Sequence, residues 1–358
     1  MTEPEQRRRA VAAGLAELKL DALLVSSPAS VRYLTGYTGS NGLALITPGD
    51  SYFFTDPRYA LDAQSIACKV RIARGVPLIK VAATVVKRKK IKKLGVESAW
   101  LRMDEHKTLN EGLPLGSSLE PSTGVVEKLR MRKSPDEIAR IRHSVQVNSE
   151  AYWRTLKRIR PRATEREIAA ELEFQMKTLG SDKPAFETIV ATGPRSASPH
   201  ARPTDNRVGL NELLLIDMGS TVNGYTSDMT RVAYVGAPPP RIRSLYKAVL
   251  EAQAAGLDAV RPGVAVSKVD QACRDVLQSH NLEKEFVHST GHGLGLEIHE
   301  APRIAKKEKI KLQAGMVITI EPGAYVQGLG GIRIEDTVLV TETGCEVLTP
   351  TPKEFVNL

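Results

Sequence analysis

Apolar and polar positions recur along the chain with two periods, and the dominant period changes from segment to segment. Between residues 5 and 20, Val11, Leu15, Leu18 and Leu20 form an apolar face among arginines and alanines, which predicts a helix. The run Ala22-Leu23-Leu24-Val25 behind Asp21 predicts a short buried strand, ended by Ser26-Ser27-Pro28. A turn-rich segment at 33–42 feeds a second strand from Leu43 to Ile46, and Thr47-Pro48-Gly49-Asp50 predicts a hairpin returning through Tyr52 to Thr55. Strand and helix patterns alternate to about residue 125, as expected of a small α/β domain.

At Met131-Arg132-Lys133 the pattern lengthens. Ser134-Pro135-Asp136-Glu137 places Ser at an N-cap, Pro at the first helical position and Glu at the third, opening a long helix with Ile138, Ile141, Val145 and Val147 on its apolar side. Thr164 and Glu167 repeat the device before a second helix that begins near Ile168. Further helices are predicted at 240–259 and 266–280, with strands clustering at 186–192, 211–234 and 314–342. The boundary is placed near residue 130, giving domains 1–130 and 131–358. No short repeat or low-complexity tract is evident.

A chain of 358 residues exceeds the size at which a single core usually grows, so two domains agree with its length. Its 42% hydrophobic and 25% charged residues are ordinary for a globular protein, and no apolar run approaches the roughly 20 residues that span a bilayer. Arg7-Arg8-Arg9 is followed by no apolar segment of the secretory kind, and Cys68, Cys273 and Cys345 lack metal-type spacing. A cytoplasmic protein is therefore expected. The net charge of +9 is concentrated in Lys87, Arg88, Lys89, Lys90, Lys92 and Lys93. That run follows an apolar stretch and has few aromatics beside it, so it is read as a solvated helix end and no nucleic-acid partner is expected.

Candidate chemistry centres on residues 288–302, where His288, His292 and His299, three of seven histidines in the chain, alternate with Gly291, Gly293 and Gly295. Glycine permits positive φ and close backbone approach, so this pattern suits a loop wrapped on an ion; a flexible surface loop is the plainer alternative. Carboxylates complete the pattern. Asp217 interrupts the apolar run Leu213 to Met218, and Asp228 returns after the turn signal Asn223-Gly224. A hairpin centred between 222 and 223 would set the two acids directly opposite, with Cβ atoms roughly 4.5–5.5 Å apart. Two bare buried carboxylates so close would repel, and a cation would relieve both costs. Glu321 ends the apolar strand that starts at Met316, and the period of two places Arg333 and Glu335 on one strand face. Four acids and an imidazole form an oxygen-rich donor set suited to two divalent cations.

The order Asp217, Asp228, His292, Glu321, Glu335, with Gly-His-Gly-Leu-Gly ahead of His299 and Ile-Glu-Pro-Gly around Glu321, resembles the M24 metallopeptidases of the pita-bread fold. The resemblance covers residues 131 to 358. Tyr-Leu-Thr-Gly-Tyr-Thr-Gly-Ser-Asn-Gly at 33–42 and Phe-Thr-Asp-Pro-Arg-Tyr at 54–59 resemble the creatinase-type domain of the proline-specific members, the Xaa-Pro dipeptidases and Xaa-Pro aminopeptidases. The resemblance implies an α/β fold in which a creatinase-like N-terminal domain precedes an α+β pita-bread catalytic domain. It implies that Asp217, Asp228, His292, Glu321 and Glu335 hold two divalent metal ions, manganese first with cobalt or zinc as alternatives. A water activated between the cations would attack the carbonyl before proline, with Glu321 as proton shuttle. His288 and His299 would flank the substrate, His200 would line the proline end, and Arg333 would hold Glu335 or Asp228 from behind. Arg303 matches the arginine that prolidases use for the substrate's terminal carboxylate, which leans toward dipeptides. Longer Xaa-Pro peptides are the alternative and a non-enzymatic binding module the remote one. A homodimer is expected by the same resemblance.

Overall fold

Met1–Arg130 and Met131–Leu358 form two compact units, and the computed structural model describes every residue except Pro161. In the first unit the elements run α1 (Glu3–Gly14), β1 (Ala22–Val25), α2 (Pro28–Thr35), β2 (Gly42–Ile46), β3 (Ser51–Thr55), β4 (Lys69–Ile72), α3 (Leu78–Arg88), β5 (Lys93–Glu97), α4 (Met103–Gly112), β6 (Ser118–Ser122) and α5 (Val125–Arg130). One mixed sheet has the order β4-β3-β2-β1-β5-β6, antiparallel across the β1–β2–β3 meander and parallel elsewhere. Leu24, Leu45, Phe54 and Leu94 on one sheet face pack against Val86 of α3 and Leu109 of α4. The basic run leaves the end of α3 with Lys87 to Lys90 exposed, and Lys69 and Lys89 both pair with Asp50.

Two helix boundaries differ from the sequence expectation. Helix α1 stops at Gly14, several residues short of the predicted end. Helix α2 occupies ground read as a strand end and turns: Ser27 caps it through its side chain, Pro28 is its first residue, and Gly36 closes it at φ 77°.

The second unit opens with α6 (Pro135–Leu156) and α7 (Glu165–Thr178), each begun by a capping box, Ser134 with Glu137 and Thr164 with Glu167. Then follow β7 (Lys183–Pro184), β8 (Ile189–Thr192), β9 (Glu212–Met218), β10 (Ser220–Val222), β11 (Tyr225–Thr226), β12 (Met229–Val235), α8 (Pro240–Ala259), α9 (Val266–Ser279), β13 (Gly291–Gly293), β14 (Glu300–Ile304), β15 (Val317–Ile320), β16 (Gly323–Val326), β17 (Gly330–Arg333), β18 (Asp336–Val340), β19 (Cys345–Val347) and β20 (Val356–Asn357). The main sheets are β20-β12-β9-β8 and β14-β13-β15-β18-β19, joined antiparallel except for the parallel β12–β20 pair. Alternation along β9 and β12 divides their side chains between two cores. Leu213, Leu215, Val232 and Tyr234 join a cluster with α8, α9 and β15, while Leu214, Ile216, Met218 and Met229 pack against Tyr152 of α6 and Leu172 of α7. Both faces of this pair are therefore apolar, and an acid within it needs a specific partner. No helix among the described residues is long and apolar enough to cross a membrane.

Candidate metal centre

Asp217 shares the parity of Leu213 and Leu215, and Asp228 that of Val232 and Tyr234, so both acids emerge from the same sheet face. They are not directly opposite. The hairpin closes as a two-residue loop, Val222 facing Tyr225, with Asn223 and Gly224 at φ 49° and 77°. That moves the register by two positions, and Asp217 pairs with Thr230. The expected head-on pair is thus a diagonal one, with Thr230 interposed.

The glycines of the histidine segment serve the sheet rather than a wrapped loop. Neither Gly291 nor Gly293 has a positive φ; a Cβ at Gly291 would lie 2.0 Å from the Thr319 carbonyl oxygen and one at Gly293 2.4 Å from that of Ala301. They allow β13 to sit between β14 and β15, which carry Arg303 and Thr319 on either side of His292. The His292 backbone N–H donates to the Thr319 hydroxyl (3.1 Å), which donates in turn to Glu321 Oε1 (3.2 Å). Because a carbonyl only accepts, the contact of His292 Nδ1 with Gly293 O (3.0 Å) places the ring hydrogen on Nδ1 and leaves the Nε2 lone pair free. That nitrogen lies 3.3 Å from Glu321 Oε1 and 3.5 Å from Asp228 Oδ2. Burial lowers its pKa, favouring the neutral ring that a metal requires.

Glu335 lies in the link between β17 and β18. It is fastened to β12 because Arg231 donates to its carbonyl (2.5 Å) while pairing with Asp336 (2.7 Å). One donor atom each from Asp228, His292 and Glu335 lies within 4.8 Å of the others. Asp217 Oδ1, Asp228 Oδ1 and Glu335 Oε1 are buried and accept no hydrogen bond. Burial, and then the neighbouring carboxylates, push the pKa of Asp228 and Glu335 well up, and burial raises that of Glu321 to about 7. Orphaned oxygens, mutually repelling acids and one neutral imidazole fit divalent cations with oxygen-preferring coordination.

Behind these acids Arg333 is a hub. Its Nη2 pairs with Asp217 Oδ2 (2.5 Å), Nε donates to Thr230 Oγ1 (3.0 Å) and Nη1 to the Tyr325 hydroxyl (2.6 Å). The Thr230 hydroxyl in turn donates to Glu335 Oε2 (2.7 Å). The arginine therefore holds Asp217 directly and reaches Glu335 through Thr230, whereas the sequence reading had it gripping Glu335 or Asp228. Tyr325 OH lies 2.8 Å from His288 Nε2, and His288 Nδ1 contacts Ser289 O at 2.8 Å. Both nitrogens of His288 are engaged within the protein, and burial lowers its pKa to about 4. Thr230 and Thr319, two positions from Asp228 and Glu321, could have been found by strand parity. Tyr325 could not, because an aromatic in a strand gives no signal until its hydroxyl is placed. Tyr225 is core, its hydroxyl bound to Glu137 (2.9 Å).

All ten residues singled out from the sequence line one cavity of about 650 Å³. The carboxylates, His292 and Arg333 form its floor, and His200, His299 and Arg303 are exposed within it. The His299 ring meets His292 edge-on at 4.4 Å, and Arg303 is the cross-strand partner of His292.

Residues 139–342 match the model of metallopeptidase family M24, and residues 7–132 match that of the creatinase/prolidase N-terminal domain. The chain is 35% identical over 340 residues to an Xaa-Pro dipeptidase of Pyrococcus furiosus, spanning 95% of this chain and 96% of that one. Its fold is similar to that of an Xaa-Pro dipeptidase from Bacillus anthracis (TM-score 0.96, 35% identity, 99% and 100% of the two chains). It is also similar to an X-Pro aminopeptidase from Thermotoga maritima (TM-score 0.89, 34% identity, 96% and 99%). The chain belongs to metallopeptidase family M24, its pita-bread domain preceded by a domain of the creatinase/prolidase kind.

Proposed function

We propose that this metallopeptidase releases the residue that precedes proline at the N-terminus of Xaa-Pro dipeptides, using two divalent cations held by Asp217, Asp228, His292, Glu321 and Glu335. The observation that carries the reading is the convergence of three orphaned carboxylate oxygens and one free imidazole lone pair on the floor of a single cavity. Manganese is the first candidate, with cobalt or zinc as alternatives, since all three accept this donor set. When bound, the cations would supply Lewis acidity and lower the pKa of a coordinated water.

The side chains supply the rest. Glu321 takes and returns the proton at its carboxylate, while the Thr319 hydroxyl fixes its orientation. His299 and His200 stand over the cavity, where a ring N–H can donate to the scissile carbonyl oxygen as charge develops. His288 lines the same cavity, but it can serve the substrate only by releasing the Tyr325 hydroxyl. Arg303 offers a guanidinium to the proline carboxylate, a pairing that a dipeptide needs and a longer peptide does not. Unit 131–358 is read as catalytic and unit 1–130 as a creatinase-like accessory domain. A cytoplasmic homodimer remains part of the reading, the dimer to be checked by light scattering.

Similarity to an X-Pro aminopeptidase at nearly the same identity favours cleavage of longer peptides as the second reading. The test is turnover of an Ala-Pro dipeptide beside an Ala-Pro-initiated pentapeptide by protein stripped of metal and reloaded with manganese. Dipeptide preference, lost on Arg303→Ala, supports the first reading, and pentapeptide preference supports the second. No cleavage of either with manganese, cobalt or zinc would overturn both.

A further inference from the structure

We propose that Asp270 and Arg274, which lie outside the cavity on α9, are positioning residues that set the aim of His292 and His288. The inference rests on the reading of His292 as a metal ligand. The two side chains are one helical turn apart and form a buried ion pair, with Arg274 Nε at 2.7 Å from Asp270 Oδ2 and Asp270 fully buried. A buried ion pair is weak evidence for a contribution to stability, because apolar side chains of similar volume would fill the space as well or better. Its remaining hydrogen bonds show what else it does.

Every one of them ends on the segment 286–290, which links α9 to β13 and has no regular structure of its own. Arg274 Nη2 donates to the His288 carbonyl (2.6 Å) and Nη1 to the Phe286 carbonyl (3.3 Å). Asp270 Oδ1 accepts from the Thr290 hydroxyl (2.9 Å) and from the Thr290 backbone N–H (3.2 Å), which it shares with Ile304 O (3.0 Å). The guanidinium also stacks on the Phe286 ring at 4.3 Å, and that ring meets His288 edge-on at 5.0 Å. The pair is thus a rigid template for five residues. At the end of that segment the Thr290 carbonyl receives the Glu321 N–H (2.7 Å), and the chain continues directly into Gly291 and His292. The position of His288 beside Tyr325 and the entry of His292 into β13 are both set from α9. Such outer partners usually change metal affinity or activity by about 10–100-fold when removed.

The test is manganese titration by calorimetry of the full chain, with thermal melts and turnover on the same samples. Arg274→Met should bind manganese about 10–100-fold more weakly and lose turnover. Leu277→Ala, which removes a fully buried core side chain from the same helix, should lower the Tm yet keep the wild-type manganese affinity. Thr290→Val, which deletes only the hydroxyl on Asp270, should weaken manganese several-fold and serves if Arg274→Met does not fold. Wild-type affinity in a folded Arg274→Met or Thr290→Val protein overturns the inference, as does an equal loss in Leu277→Ala. Wild-type affinity in His292→Ala would instead overturn the metal-site reading on which the inference stands.

Discussion

Arg333 is 3% exposed and joins four groups that would otherwise have no common support: Asp217, Thr230, Tyr325 and, through Thr230, Glu335. Removing one partner of such a buried pair leaves the other charge uncompensated, which costs about 3–5 kcal/mol. Arg333→Met should lower the metal-free melting temperature accordingly and weaken manganese binding by at least about tenfold; an unchanged melt would show that solvent reaches Asp217. Tyr325→Phe is a milder change. Burial pushes the phenol to about 12, so the hydroxyl stays protonated and donates to His288 while accepting from Arg333. Its loss should cost about 1–3 kcal/mol in denaturant unfolding, because two buried groups lose a partner. The acids, His292 and Arg333 stand out in the sequence because each lies in an apolar strand or beside glycine, where a polar side chain is unexpected, whereas Arg303 stands out only through the resemblance to prolidases. Tyr325 does not stand out, since an aromatic in a strand is unremarkable until its hydroxyl is placed.

Strands and helices were read most securely where two signals coincided. The capping boxes at Ser134 and Thr164 opened α6 and α7 as expected. The same cap and proline signals at Ser27 and Pro28 open α2, although no apolar periodicity stands out among the turn residues behind them. Register was the weaker inference. A centre displaced by one residue changed the cross-strand partner of Asp217 by two, from Asp228 to Thr230, yet kept both acids on one face because the side-chain period is two. The alternating glycines suggest a loop wrapped on an ion, whereas at Gly291 and Gly293 their function is sheet spacing. That difference is testable. At Gly291 an added methyl would be only 2.0 Å from a backbone oxygen of β15, so Gly291→Ala should push β13 away and cost about 1–3 kcal/mol or more. Loss of manganese affinity in this variant, with far-ultraviolet circular dichroism retained, would locate the damage at His292. Wild-type affinity would show that the strands can move apart without penalty.

At the scale of the molecule, length and the change of pattern near residue 130 suggest two parts, and the chain forms the compact units Met1–Arg130 and Met131–Leu358. Strand register and the outer network on α9 were not legible, because register turns on the exact centre of a hairpin and the partners of Asp270 and Arg274 lie in a segment without regular structure. The whole-molecule property that follows from the site is linkage between pH, metal and stability. In the metal-free protein Asp228, Glu321 and Glu335 have carboxyls raised by burial and then by neighbouring carboxylates, Glu321 to about 7. The unfolded chain ionises the same groups near pH 4–4.5. Between those values the folded state binds more protons than the unfolded one, so metal-free stability falls as pH rises, by about 1.4 kcal/mol per pH unit for each such carboxyl. Below the unfolded values both states are protonated and the penalty vanishes. A bound cation reverses the sign of the local interaction by stabilising the ionised carboxylates, and burial lowers the pKa of His292 in favour of the neutral ring that binds a metal. The rise in Tm on adding manganese should therefore be small at pH 5 and grow steadily to pH 7, when scanning calorimetry compares dialysed and reloaded protein in matched buffers. A rise that stays constant over that interval would mean that the acids are already ionised without metal, and that solvent or counter-ions screen them in a way their burial does not suggest.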